Sequence, residues 1–329
     1  MRYLNRILSF AAAIGLVLAP FASANAADES KTVRIGLQKS STLATILRTN
    51  GELEKRFAAL GYTVTWSEFT SGLPLLEALN VGALELSADV ADTVPVFAQA
   101  AGAKLTYVAQ EAPSPTAQAI LVKADSPLKS VADLKGKKIA VTKAAGVHFL
   151  LIAALGRAGL KFNDIEPAYL SPADGRAAFE KGAVDAWVVW DPFVAAAQKQ
   201  ADARVLADGS DGLASYQRYY LASSAFAAKE PKLIETYFEL LESTGKWVKA
   251  NPVEAAKILA PAWKLEQDVV EKANGRRSYQ VRSVSPSDLS EQQRIADAFF
   301  AEAVLPKEIK ATEAEIWSAG KKSSEATPR

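Results

Sequence analysis

No cysteine occurs anywhere in the 329 residues. A disulfide framework, a thiolate metal site and a cysteine nucleophile are therefore excluded, and no cysteine is available to carry a lipid anchor. Histidine occurs once, as His148, so a histidine-built metal centre lacks its ligands. Excess charge is missing too. The 38 bases and 37 acids nearly cancel, which removes any broad electrostatic reason to bind nucleic acid or a charged membrane surface. Any ionic ligand must be held by local groups.

Long apolar runs are confined to the N-terminus. Arg2 and Arg6 lead into an apolar run over residues 7–20, followed by the small-x-small pattern Ala24-Asn25-Ala26. The pattern predicts a cleaved secretory signal peptide over residues 1–26. The competing reading, a membrane anchor, meets a run shorter than the roughly 20 apolar residues a span needs. Removing the leader takes away two bases and no acids, leaving the mature chain with one acid in excess. A protein free in the periplasm is expected. The remaining length suffices for two domains with their own cores.

The stretch 69–92 organises the rest of the chain. Phe69-Thr70-Ser71-Gly72 is a small polar turn, after which Leu75, Leu76 and Leu79 recur at helical spacing. Gly82 predicts the helix end. A strand is expected over 83–88, ending in Asp89, and Ala91-Asp92-Thr93 is expected to start another helix. Two polar helix starts thus fall at the rim where strand–helix–strand folds bind ligands. The pattern returns one hundred residues later, with Gly82-Ala83-Leu84-Glu85 echoed by Gly182-Ala183-Val184-Asp185, and Asp89 by Asp191. That spacing is too long for a solenoid and fits two similar α/β lobes with a ligand site between them.

Strands alternate with helices along most of the chain, which predicts a mainly parallel sheet in each lobe. A single helix is expected over 43–60. Pro113 and Pro115 mark a crossing between lobes. A strand over 216–222 is expected to return the chain to the first lobe, and residues from 230 onward are expected to be mostly helical. The expected division is 31–115 with 220–320 as lobe 1, 116–219 as lobe 2, and a disordered polar tail over 321–329.

Several stretches carry a resemblance. The segments 70–79 (from Thr70-Ser71-Gly72), 87–95 (with Ser87-Ala88-Asp89), 113–119 (Pro113-Ser114-Pro115-Thr116-Ala117-Gln118-Ala119), 169–176 (with Ser171-Pro172-Ala173-Asp174) and 184–192 (with Trp187, Trp190-Asp191-Pro192) resemble the periplasmic aliphatic sulfonate-binding proteins. The resemblance covers residues 32–320. It implies the type II periplasmic-binding-protein fold, two doubly wound α/β lobes with a ligand cleft between them. It also implies an organosulfonate ligand, an inner-membrane ABC permease with its ATPase as partner, sulfur uptake as the purpose, a monomer, and no cofactor, metal or nucleic acid.

A sulfonate is an anion at any physiological pH, with three acceptor oxygens and no proton to give. Its site needs donors and can do without a full positive charge, because backbone N–H groups at helix starts carry a partial one. The candidate ligand-binding residues are Gln38, Ser40, Ser41, Thr70, Ser71, Gly72, Asp89, Thr116, Ala145, Gly146, His148, Trp190 and Asp191. Each has a plainer reading. Thr70 and Ser71 read equally as helix caps. Asp89 reads more readily as a fixer of neighbouring donors than as a ligand contact. Thr116 is first a hinge residue, and His148 reads equally as donor and packed residue. Trp187 and Trp190, three apart on one strand, face opposite sides, so at least one is core; Trp190 is the one expected to wall the cleft. Arg276 and Arg277 read as surface charges.

A sensor domain that docks to a membrane receptor instead of a transporter would keep the same ligand chemistry, and two rival functions stand beside the sulfonate reading. A binding protein for taurine or nitrate would use similar helix starts; an amine would call for a carboxylate, with Asp191 the one to watch. An enzyme is the other. The fold also hosts a sulfinate-cleaving enzyme that depends on a cysteine, and this chain has neither a cysteine nor a G-x-S-x-G serine motif.

Overall fold

The computed structural model describes residues 31–318, so the expected leader and the tail lie outside the described residues. Strands β1 (Lys31–Gln38), β2 (Tyr62–Phe69), β3 (Leu86–Ala91) and β4 (Leu105–Glu111) enter one sheet. The chain then builds a second sheet from β5 (Gln118–Lys123), β6 (Lys138–Val141), β7 (Glu166–Tyr169), β8 (Ala186–Trp190) and β9 (Ala203–Asp208). It returns to the first with β10 (Arg218–Ser223) and two short strands, β11 (Val281–Arg282) and β12 (Glu315–Ile316). The first sheet with the helices packed on it is lobe 1, and the second with its helices is lobe 2.

The central strand orders match. Lobe 1 runs β2-β1-β3-β10-β4, and lobe 2 runs β7-β6-β8-β5-β9. In each, the fourth strand is antiparallel to both neighbours. Each of those strands is the one delivered by a crossing from the other lobe, so the crossings exchange equivalent strands. Strands β3, β4 and β8 are buried along their whole length; β8 is apolar throughout, as a strand covered on both faces commonly is, while β3 and β4 also bury Asp89, Gln110 and Glu111.

The hundred-residue repeat has a physical cause. Gly82 and Gly182 adopt φ of 73° and 69°, and Ala83 and Ala183 donate back to Ala78 and Ala178, each at 2.9 Å. The acid that follows ties two parallel strands together. Glu85 accepts the Arg34 N–H at 2.7 Å and Asp185 accepts the Lys138 N–H at 2.8 Å. Their own N–H groups return to the same residues' carbonyls.

Several expectations are corrected. The helix over 43–60 is two helices, Thr42–Asn50 and Glu52–Ala58, because Gly51 between them sits at φ 68°. The strand expected over 83–88 runs instead over Leu86–Ala91, since residues 83–85 are used in the turn. Asp89 therefore lies inside β3. Register pairs Ile35 with Leu86 in lobe 1 and Ile139 with Ala186 in lobe 2. Carried forward, Asp191 is the counterpart of Ala91, and the two acids are not equivalent. The return strand starts at Arg218, two residues after its expected start.

Candidate functional site

The C-terminal ends of β1, β2, β6 and β8 feed the helix starts between the lobes. Helices Thr42–Asn50, Gly72–Asn80, Gly146–Arg157 and Phe193–Gln200 begin at Ser41, Ser71, Ala145 and Pro192, and none of these residues caps its helix with a side chain. Elsewhere in the chain, Ser171 and Ser223 do cap their helices. The cap reading of Ser71 therefore does not describe its hydroxyl; in the helix Phe193–Gln200 the Asp191 carboxylate instead accepts the first-turn N–H of Ala195.

The lobes meet there directly. Trp190 Nε1 donates to Ser40 Oγ at 3.1 Å across the lobes, and Trp190 is 4% exposed. Trp187 is buried as well, with its ring near Phe179. Gly146 starts its helix so close to lobe 1 that an added Cβ would meet Ala91 and Tyr216 at 2.9 Å. Glycine is needed here for approach. Gln38 and Ser41 join the group from β1: Gln38 Nε2 donates to the Asp89 carbonyl at 2.8 Å, and Ser41 Oγ accepts the Gln38 N–H at 3.1 Å. Gly72 packs on Val90 and Val94, which brings its helix start to the end of β3.

Asp89 is fully buried and ion-paired to Arg218 and Arg277. Arg277 also holds Glu111 at 2.8 Å. Burial alone would raise the Asp89 carboxyl, but the two guanidinium groups hold its pKa below the ordinary value. Two carboxylates and two arginines thus neutralise one another in lobe 1. Asp191 is held differently. Arg276 reaches both its oxygens at 2.9 Å, and the Ala195 N–H donates to it at 3.0 Å. Burial pushes its carboxyl up to about 6, against the pull of Arg276, so it is ionised at neutral pH. The surface reading of Arg276 and Arg277 is corrected: Arg277 is buried, and both are engaged by acids 85 to 188 residues away.

The remaining expected residues fall elsewhere. Thr70 is exposed beside the helix start. Thr116 is exposed in the crossing turn Pro115–Ala117, and no hydrogen bond links it to Ser40, Gly146 or Trp190. The His148 ring packs against Phe162, Tyr169 and Phe299, with centroids 5.0–5.5 Å away, and its Nδ1 accepts the Ala144 N–H. Burial pushes its pKa down to about 3, so the ring is neutral, and its Nε2 is buried without a partner among the described residues.

Sequence reasoning missed Gln118 as a donor. It is 1% exposed, both its side-chain amide atoms lack a partner among the described residues, and β-pairing sets it opposite Trp190. Its place in the segment 113–119 was the available signal. Arg218 gave none. Among the described residues no cluster of metal-ligating side chains is found, and no helix is long and apolar enough to cross a membrane.

A cavity of about 240 Å³ opens beside Ser40. Lys39, Ser40, Trp263, Lys264 and Leu265 line it from lobe 1, and Ala173, Arg176, Pro192, Phe193 and Ala196 from lobe 2.

Comparison with known proteins agrees with this fold. Residues 63–255 match the family described as NMT1/THI5 like. A protein of Escherichia coli K12 named for binding aliphatic sulfonates is 39% identical over 93% of this chain and 95% of its own length. The alkanesulfonate-binding protein SsuA of Xanthomonas axonopodis pv. citri, solved bound to MOPS, superposes with a TM-score of 0.82 at 38% identity, covering 87% of this chain and 98% of that one. The periplasmic aliphatic sulphonate-binding protein SsuA of Escherichia coli gives 0.76 at 40% identity, covering 85% and 95%. The chain belongs to the NMT1/THI5-like family, as one of its aliphatic sulfonates-binding members.

Proposed function

We propose that this protein is the exported solute-binding component of an ABC importer. It captures an aliphatic sulfonate between its lobes and presents it to an inner-membrane permease for sulfur uptake. The observation that carries this reading is the convergence of neutral donors from both lobes on one place. Ser40 and Ser41 come from β1 and its turn, uncapped helix starts follow at Gly72 and Gly146, and Gln118 and Trp190 come from lobe 2. Charge-assisted hydrogen bonds contribute about 1.5–3 kcal/mol each, so a handful suffices for micromolar binding after association costs. The relative solved with MOPS supports the same ligand class, since MOPS is itself an organosulfonate.

A ligand that touches both lobes favours the form in which they meet, and the closed form then docks on the permease. Binding without catalysis fits a chain with no cysteine nucleophile and relatives named for binding. The taurine reading needs a carboxylate free for an amine, and Asp191 is already held at both oxygens by Arg276. Residues 1–26 serve as the export signal, and the mature protein acts as a periplasmic monomer that binds no nucleic acid. N-terminal sequencing of the exported protein reads the cleavage, expected after Ala26.

Calorimetric titration of the leaderless protein tests the ligand. Ethanesulfonate is expected to bind at micromolar levels or tighter, with nitrate and sulfate silent. Silence toward every sulfonate would remove the ligand assignment; tighter binding of taurine would move the site to one that reads an amine.

A further inference from the structure

The donors around Ser40 read the sulfonate head and leave the other end of the ligand open. The cavity beside them shares Ser40 and is walled by Pro192, Phe193, Trp263 and Leu265. At about 240 Å³ it lies below the usual range for drug-sized ligands, which suits a short tail. Its charge is one-sided. Lys39, Arg176 and Lys264 line it, and no carboxylate does. Arg176 is already compensated by Glu180 at 2.7 Å. Lys39 and Lys264 are exposed and take part in no ion pair among the described residues. The buried indole N–H of Trp263 also lacks a partner there.

We propose that this cavity is the tail subsite and that it selects short sulfonates carrying a second anionic group, because an apolar wall leads the tail to two uncompensated lysines. A chain of two or three carbons lies against Pro192 and Phe193, and the second anion meets Lys39 and Lys264 at the mouth. An ammonium at the same position meets two like charges and no acid. The inference rests on the proposed sulfonate function and deepens it.

The test is a matched series: ethanesulfonate, taurine and 3-sulfopropanoate, titrated against the leaderless wild type and Lys39→Gln/Lys264→Gln. Ethanesulfonate, with no charge on its tail, is the reference for each protein. Wild type is expected to bind 3-sulfopropanoate tightest and taurine weakest. The lysines are exposed and screened, so each is expected to account for about a two- to five-fold change. The 3-sulfopropanoate preference should therefore collapse toward the reference in the double variant and shrink as salt is raised in wild type. An unchanged ratio in the double variant, or taurine binding as tightly as 3-sulfopropanoate in wild type, overturns the tail assignment. Failure of ethanesulfonate itself would instead remove the sulfonate function, so the two failures are distinguishable.

Discussion

Arg276 and Arg277 are neighbours in sequence, yet each serves a different lobe. Arg277 turns into lobe 1, where it meets Asp89 and Glu111 beside Arg218. All four side chains are buried, and the network closes within one lobe. Arg276 turns across the cleft to Asp191 of lobe 2, at the end of a strip that also pairs Lys199 with Glu266 and Asp268. The first arrangement is fixed architecture. The second consists of contacts that part whenever the lobes separate. Lobe 1 thus keeps its buried charge neutralised within itself, while lobe 2 brings Gly146, Gln118 and Trp190, which are neutral. On the proposed reading a sulfonate head meets dipoles and N–H groups from both sides, while the uncompensated Lys39 and Lys264 stand at the tail cavity.

The comparison breaks most sharply at Arg277. Arg277→Met leaves two buried carboxylates facing Arg218 alone and is expected to destabilise the protein by about 3–5 kcal/mol, read by chemical denaturation without ligand. A loss below about 1 kcal/mol would mean that the network is not the support of lobe 1. The next largest effect is expected at Gly146. A Cβ there meets Ala91 and Tyr216 of the opposite side, so Gly146→Val wedges the lobes apart. If it cuts the closed population to about 1%, apparent sulfonate affinity falls about 100-fold, with little change in the denaturation midpoint of the unliganded protein. Arg276→Ala sharpens the contrast with its neighbour. It is expected to weaken sulfonate binding about tenfold through faster release, and to cost less unliganded stability than Arg277→Met, because Asp191 regains water when the lobes part.

The last comparison concerns pH, and again the lobes differ in sign. His148 of lobe 2 titrates at about 3 in the fold against 6.5 ordinarily. The unfolded chain takes the proton first, so its contribution is present above 6.5 and lost as pH falls. Asp92, at the helix start after β3, is pushed up to about 7 from 3.8 by burial and then by nearby Glu291. The folded chain takes that proton first, so its contribution is present below 3.8 and lost as pH rises to 7. The two slopes oppose each other between pH 4 and 6.5. His148→Leu should make stability rise more steeply toward acid than wild type does, and Asp92→Asn should make it fall more steeply. Equal slopes in all three proteins would show that neither group titrates as its burial implies.

The fold was legible because its signals are local. Gly82 and Gly182 with Glu85 and Asp185 announce a repeated turn, and Pro113 and Pro115 announce a crossing. The helix starts were legible for the same reason, as was Trp190 at a strand end. What the sequence hid depends on distance. Arg277 finds Glu111 across 166 residues and Asp89 across 188, and no periodicity reports such a pairing. Adjacent arginines look like surface charge because arginine is rarely buried unless paired, and the pairing is the part that only the fold shows. Gly51 was passed over because the helical spacing of Leu43, Ile46, Leu47, Leu53 and Phe57 runs on across it, although Asn50-Gly51 is a turn signal. Asp89 was misplaced relative to its strand because the turn takes up residues 83–85, which read as strand.

The central claim is that neutral groups from both lobes hold the sulfonate while the buried arginines stay with their carboxylates. A crystal structure of the leaderless protein with ethanesulfonate tests it most directly. The account predicts sulfonate oxygens within hydrogen-bond reach of the Ser40–Ser41 turn, the helix start at Gly146 and the side chains of Gln118 or Trp190, with Arg277 still on Asp89 and Glu111. A sulfonate bound to Arg218 or Arg277 with the carboxylates displaced, or one bound to a single lobe, would contradict it.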